Sequence, residues 1–253
     1  MSPGAERRRL MLGALLTCLL VDACSRPDRT DSQGLAGQGV PPPPAVAAKP
    51  KGRLFRPQDL GLLEGPDRDQ WQKPDLIMDA LRIAEGSVVA DVGAGSGWFT
   101  IQLSRRVGQS GIVYAEDIQP QMVEEIRSRV QREGLANVRP ILGAADDPRL
   151  PSGIDAILIV DAYHEMEDPT EPAQITGMLG TLARSLKPQG RIGIVDFAAG
   201  GGGPGPPAEE RVNPAGIIRA AAAAGLQLIA QEAVPPFQFL LVFGRSVAPR
   251  GSL

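Results

Sequence analysis

The amino-acid sequence predicts an α/β domain from about residue 54 to 246, with helices covering both faces of a sheet in three layers. Three observations predict it. From Asp75 onward, short apolar runs alternate with segments of helical periodicity. Residues 155–160 carry Ala-Ile-Leu-Ile-Val without a polar interruption, the pattern of a parallel strand buried on both faces. The last two apolar runs, 226–233 and 237–243, lie close together across Pro235-Pro236. So short a link cannot make a right-handed parallel crossover, so these strands form an antiparallel hairpin.

The elements follow in order. Asp75 is placed to cap a helix whose apolar side includes Leu76, Ile77, Leu81 and Ile83, ended by Glu85-Gly86. Val88–Val92 is the first strand, followed by a glycine-rich turn and a helix over Trp98–Val107 that Gly108 and Gly111 break. Residues 112–115 form a second strand, 121–133 a helix ended by Gly134, and Val138–Leu142 a third strand. After the strand at 155–160, a helix over 173–186 leads through Pro188-Gln189-Gly190 into a fifth strand at 191–197. A glycine loop, an alanine-rich helix at 214–224 and the hairpin complete the chain, with no internal repeat.

The N-terminal 53 residues read differently. Arg7–Arg9 precede an apolar stretch from Leu10 to Val21, of signal-peptide length and short for a membrane span. Val21-Asp22-Ala23-Cys24 resembles a lipoprotein box, although Asp22 stands where a small or apolar residue is usual. Arg7-Arg8-Arg9-Leu10-Met11 is loosely similar to a twin-arginine signal. Residues 1–24 are therefore expected to be an export signal, with a lipid anchor at Cys24 and a place in the cell envelope. A cytoplasmic protein is the alternative. Residues 25–53, with Pro41–Pro44, hold too few large apolar residues to offset the entropy of ordering and read as a disordered, semi-rigid linker.

Composition excludes several chemistries. Both cysteines, Cys18 and Cys24, fall in the signal-like segment and His164 is the one histidine, so no His/Cys metal site and no cysteine nucleophile is expected beyond it. The net charge of −3 and the scattered basic residues build no nucleic-acid face. The expected partner is a small molecule rather than nucleic acid.

The turn at residues 91–97, Asp-Val-Gly-Ala-Gly-Ser-Gly, joins the first strand to its helix. Glycines at 93, 95 and 97 let the backbone turn tightly and approach a ligand, beside Ala94. The helix start turns its unpaired N–H groups toward that ligand. A dinucleotide fingerprint counted from Gly93 would need glycine where Trp98 stands. Asp91, at the end of a buried strand, needs a donor. A ligand ammonium would supply one and a pyrophosphate would be repelled; backbone N–H groups of the turn are the alternative. Asp117, 22 residues beyond Gly95, can accept both hydroxyls of a ribose, with Glu116 as the other candidate and Ile118 packing on a purine face. After the third strand, Asp146, or else Asp147, is placed to accept an adenine amino group, while a neighbour caps its own turn.

These segments, Asp91 to Trp98, Glu116-Asp117-Ile118, Asp146-Asp147 with Leu150-Pro151, and Asp161-Ala162-Tyr163-His164, together resemble the successive motifs of class I S-adenosylmethionine-dependent methyltransferases. The likeness covers roughly residues 70–245. It implies a Rossmann-like seven-stranded sheet of order 3-2-1-4-5-7-6 with an antiparallel last strand, and S-adenosylmethionine as cofactor. Trp71-Gln72-Lys73-Pro74-Asp75 resembles the lead-in of a bacterial subgroup, which makes Trp71 a lid or a packing residue.

Methyl transfer from a sulfonium is an in-line displacement, so alignment and exclusion of water dominate, and a base is needed only for an acceptor that carries a proton. Asp161, Tyr163, His164 and Glu165 follow the fourth strand, with His164 and Asp161 the leading catalytic candidates. Packing or hydrogen bonding is the alternative role for each. The loop at 198–207 is a mobile lid or a tolerated insertion. No Asn-Pro-Pro-Tyr motif points to adenine or amide N-methylation. The expected reaction is methyl transfer to a small or lipophilic acceptor; the alternative is a tethered protein of this fold that binds without transfer.

Overall fold

The computed structural model describes residues 54–56, 59, 61, 64–200, 202–234 and 236–246. The signal-like segment, Cys24 and the linker lie outside them. Among the described residues no helix is long and apolar enough to cross a membrane.

Seven strands form one sheet: β1 (Val88–Val92), β2 (Ile112–Asp117), β3 (Val138–Leu142), β4 (Ile154–Val160), β5 (Leu186–Phe197), β6 (Leu226–Val234) and β7 (Gln238–Arg245). Their order is β3-β2-β1-β4-β5-β7-β6, as the family resemblance implies. The first five pair in parallel, and β7 lies antiparallel between β5 and β6. Among the described residues seven α-helices accompany them: α1 (Arg68–Gln72), α2 (Pro74–Ala80), α3 (Trp98–Val107), α4 (Pro120–Glu133), α5 (Tyr163–Met166), α6 (Pro172–Ser185) and α7 (Pro214–Ala223). Two apolar layers result, one on each face of the sheet. Ile157, Ile159, Leu179, Leu182 and Ile217 meet on one side, and Leu103, Ile126, Leu158, Leu240 and Val242 on the other. Every residue of β4 except Asp155 is buried, which is why its sequence shows no alternation.

Several elements depart from the sequence expectation, among them the first two helices and the fifth strand. Helix α2 starts at Pro74, with Lys73 left-handed before it, so Asp75 sits in the first turn and does not cap. The short helix α1 precedes it; five residues are too few for a periodicity signal. Strand β5 begins at Leu186, five residues early, because Leu186 pairs with Ile154 before an irregularity lets Arg191 pair with Ala156. Pro188 and Gly190, which read as a turn, are thus held inside the strand.

Strand β1 lies between β2 and β4, where the chain's direction of winding across the sheet reverses. The crevice outside the carboxyl ends of these strands is where an open α/β sheet binds ligands.

Candidate functional site

The carboxyl end of β1 leads directly into the turn. Gly93 and Gly95 are left-handed, at φ 71° and 55°. A Cβ on Gly93 would come within 2.7 Å of the Ala162 side chain, so only glycine permits the β1 and β4 loops to meet. At Gly95 the same direction is open. Ala94 N–H donates to the Glu116 carbonyl at 2.9 Å, tying the turn to β2. Gly97, expected among the cofactor-binding residues, does not line the cavity. Its left-handed backbone, φ 81°, starts α3 and faces Ile126 of α4.

Three carboxylates stand around this turn. Asp91 is buried and accepts from the Thr100 hydroxyl at 2.6 Å. Thr100, in the first turn of α3, is thus a side-chain partner that the sequence reading did not name. Burial lifts its carboxyl to about 6, against the pull of Thr100 and Arg68. Asp117 accepts from Gly95 N–H at 3.0 Å and Gln119 N–H at 2.8 Å. Burial raises it above the ordinary carboxylate value despite these bonds. Glu116 accepts a long bond, 3.4 Å, from Gly93 N–H and presses against Gly143, where any Cβ would collide with its carboxyl. Burial, with Asp117 beside it, pushes Glu116 up to about 8. Both acids of the Glu116-Asp117 pair line the cavity, and Ile118 lines it with 39% of its surface open.

Asp146 is placed elsewhere. Ala144 and Asp147 exchange backbone hydrogen bonds across a tight turn, which lifts Asp146 into solvent and out of the cavity lining. Asp147 accepts from Arg149 N–H and caps the turn, the alternative foreseen for one of this pair. Ala144, Ala145 and Pro148 supply the cavity edge instead.

The opposite side is assembled from distant segments. Asp161 follows β4 in a left-handed conformation, φ 57°, which is strained for a non-glycine residue. It pairs with Arg68 of α1 at 3.2 Å and accepts from Gln238 of β7, which itself accepts from Gln72. Burial raises Asp161 to about 6 against the pull of Arg68. The Arg68 guanidinium lies 4.3 Å from the Trp98 ring centre, with Trp71 next to it. Trp71 also packs against Phe197 and Phe237, so it serves both as packing and as cavity wall.

His164 lines the cavity, and Asp196 of β5 holds it from behind. Asp196 accepts from the His164 backbone N–H at 3.0 Å and lies 3.1 Å from Nδ1; Glu165 lies 3.8 Å from Nε2. Burial opposes the charged ring, but the Asp196, Glu165 and Asp161 carboxylates outweigh it and raise His164 above its ordinary value. Asp196 was missed from sequence because an acid within Ile-Val-Asp-Phe carries no motif; only pairing β4 with β5 brings it to His164. Tyr163 points the other way. It is fully buried in the core, outside the cavity lining, and among the described residues its hydroxyl has no hydrogen-bond partner. Glu165 accepts from Phe55 N–H at 2.9 Å and Gln119 donates to the Phe55 carbonyl at 3.1 Å, strapping Leu54 and Phe55 over the cavity mouth. Burial raises Glu165 to about 7.

The cavity enclosed by these groups is about 610 Å³, within the range of cofactor sites. Asp91, Glu116, Asp117, Asp161 and Glu165 line it against the single guanidinium of Arg68 and the imidazole of His164. A phosphate-bearing ligand would be repelled. A sulfonium nucleoside with an amino-acid tail would fit: the acids could face its two cationic centres, Arg68 its carboxylate, Asp117 its ribose and Ile118 its base. Among the described residues no cluster of acids and histidine has metal-site geometry.

Comparison with known proteins agrees. Residues 89–190 match the methyltransferase domain family. The ubiquinone/menaquinone biosynthesis C-methyltransferase of Azotobacter vinelandii is 30% identical over 138 residues, covering 54% of this chain and 52% of that protein. A fibrillarin-like rRNA/tRNA 2′-O-methyltransferase of Pyrobaculum aerophilum is 30% identical over 117 residues, covering 45% and 46%. The chain thus spans about half the length of the curated relatives it matches. A solved S-adenosylmethionine-dependent methyltransferase from Aquifex aeolicus superposes with a TM-score of 0.69 at 28% identity, covering 75% of this chain and 98% of that one. Strand order, an acid-lined cavity at the reversal point and these similarities agree: residues 89–190 match a methyltransferase domain, and the chain is similar in sequence and fold to S-adenosylmethionine-dependent methyltransferases.

Proposed function

We propose that this chain transfers the methyl group of S-adenosylmethionine to a small, largely apolar acceptor that carries an ionisable hydroxyl. The observation that carries this is the His164–Asp196 pair at the cavity wall, a ring facing the cavity with its far nitrogen held by a buried carboxylate. A histidine so held can take the acceptor's proton as the oxygen attacks the sulfonium methyl, with Asp196 stabilising the imidazolium that forms. Asp91, Glu116, Asp117 and Arg68 hold the donor, and Trp71, Ile175, Met178 and Phe197 provide an apolar surface for the acceptor.

The relatives include both a ubiquinone/menaquinone biosynthesis C-methyltransferase and rRNA/tRNA 2′-O-methyltransferases, so the acceptor test must separate small molecules from RNA. The full chain, given methyl-labelled S-adenosylmethionine with a lipid-soluble extract, a polar small-molecule extract and total RNA, should label an organic-soluble compound. Label confined to RNA would overturn the acceptor class. Donor binding without transfer to any fraction would favour a tethered binding protein.

We further infer that residues 1–24 direct export, that Cys24 carries a lipid and that residues 25–53 act as tether. Arg7–Arg9, the apolar stretch and Ala23-Cys24 support this. Palmitate incorporation that survives Cys24→Ser would remove it.

A further inference from the structure

Residues 198–207 follow β5, and their glycines and prolines resemble a low-complexity insertion. Their described residues are instead fitted to their neighbours. A Cβ on Gly205 would lie 2.4 Å from Cγ and Cδ2 of Phe197, and one on Gly203 would lie 2.6 Å from Cγ of Phe237. The backbone therefore lies directly on the faces of two aromatic rings, which Trp71 joins at 6.0 and 6.3 Å between ring centres. Arg211, itself 9% exposed, fastens the segment at three points. It donates to the carbonyls of Ala198 at 2.9 Å, Gly202 at 2.7 Å and Pro206 at 3.0 Å. Its guanidinium lies 5.4 Å from the Phe197 ring centre. The three carbonyls are taken by three different nitrogens, Nε, Nη1 and Nη2, a spread fixed by the planar guanidinium that the single nitrogen of a lysine would not reproduce.

Pro204, Gly205, Pro206 and Pro207 line the cavity beside Phe197. Glycine alone would leave this wall free to move, but the three Arg211 bonds, the prolines' fixed φ and the seating of Gly203 and Gly205 on Phe237 and Phe197 hold it in one shape. A flat molecule keeps contact across such a wall, whereas a puckered one leaves gaps. A gap of about 0.5–1 Å forfeits about a quarter to a half of each dispersion contact.

We propose that residues 202–207 are a fixed acceptor wall, set by Arg211, that selects planar aromatic hydroxyl compounds over puckered ones. This rests on the methyl-transfer function proposed above. Arg211 acts through the wall and is a positioning residue.

The test uses the full chain saturated with S-adenosylhomocysteine, titrated calorimetrically with 2-naphthol and with its saturated counterpart decahydro-2-naphthol. Both carry one hydroxyl on two fused six-membered rings and differ in planarity. The wild-type chain should bind the flat compound at least about tenfold more tightly, and Arg211→Ala should bring the ratio below about threefold with S-adenosylhomocysteine affinity unchanged. Arg211→Lys, which keeps the charge and loses the fork, should fall between them. A wild-type ratio near one, or no binding of either compound, overturns the proposal, as does an unchanged ratio in folded Arg211→Ala. Should Arg211→Ala fail to fold, Gly205→Ala, which forces the wall off Phe197, must lower the ratio, and an unchanged ratio there overturns the proposal equally. Failure of the wild-type chain to bind S-adenosylhomocysteine would instead remove the methyl-transfer function on which the wall depends.

Discussion

The two halves of the cavity are built in different ways. On the donor side, Asp91, the glycine turn, Glu116 and Asp117 come from adjoining strands, and their hydrogen bonds stay within about one βαβ unit. On the acceptor side the contacts cross the chain: Phe55 to Glu165, Gln72 to Gln238, His164 to Asp196. The donor side is held together by local turns. The acceptor side depends on tertiary placement, and substitutions on the two sides should fail in separable ways.

The largest separation is expected at His164. His164→Ala should lower kcat by about a hundredfold or more, the usual scale of general-base catalysis, with S-adenosylhomocysteine affinity unchanged by calorimetry. Equal loss of donor affinity would erase the division between the halves. Because nearby carboxylates raise His164, the rate should climb with pH through a value above the ordinary imidazole value, and Asp196→Asn should move that limb to lower pH. An unmoved limb would assign the titration to another group.

Next in size are Asp91→Ala and Asp117→Ala, each expected to weaken donor binding by about tenfold or more, the scale of a lost hydrogen bond to a charged group. Asp91→Asn should also raise the melting temperature of the ligand-free chain, because it removes a charge whose burial is costly. Opposite signs for binding and stability mark a residue kept for its ligand.

Glu116 supplies a pH signature. Its carboxyl sits near 4.5 unfolded and about 8 folded, so across that interval the folded chain keeps a proton that the unfolded chain has released. Its contribution to stability is full below pH 4.5 and is lost as pH rises toward 8. The ligand-free melting temperature should therefore decline over this range, and Glu116→Gln should flatten the decline. A wild-type melting temperature that climbs steadily from pH 5 to 8 would contradict the burial assigned to Glu116.

The smallest effect is expected at Asp146. It is exposed and outside the cavity, so Asp146→Ala should change donor affinity by less than about twofold. A tenfold loss would return it to the adenine edge.

The same contrast explains what could be read from the sequence. Strand runs, the hairpin and the turn acids are local patterns, and Asp91, Asp117 and Ile118 stand where spacing put them. Asp146 was misplaced because Asp146-Asp147 offers two similar carboxylates and only the turn geometry distinguishes them. Asp196, Arg68 and Arg211 carried no local signal; a buried acid in a strand and two arginines in loop-like segments acquire meaning only when the sheet closes. The glycine loop read as insertion or lid because nothing in its composition reports the aromatic rings beneath it.

The central claim is that the acid-lined cavity at the end of β1 is a sulfonium-nucleoside site. Titration calorimetry of the full chain with S-adenosylmethionine tests it most directly. One-to-one binding with a dissociation constant of about 1 μM to 1 mM, the usual span for enzyme substrates, is expected, with Asp91→Ala weakened about tenfold or more. Absence of binding through that range, or binding indifferent to Asp91, would contradict it.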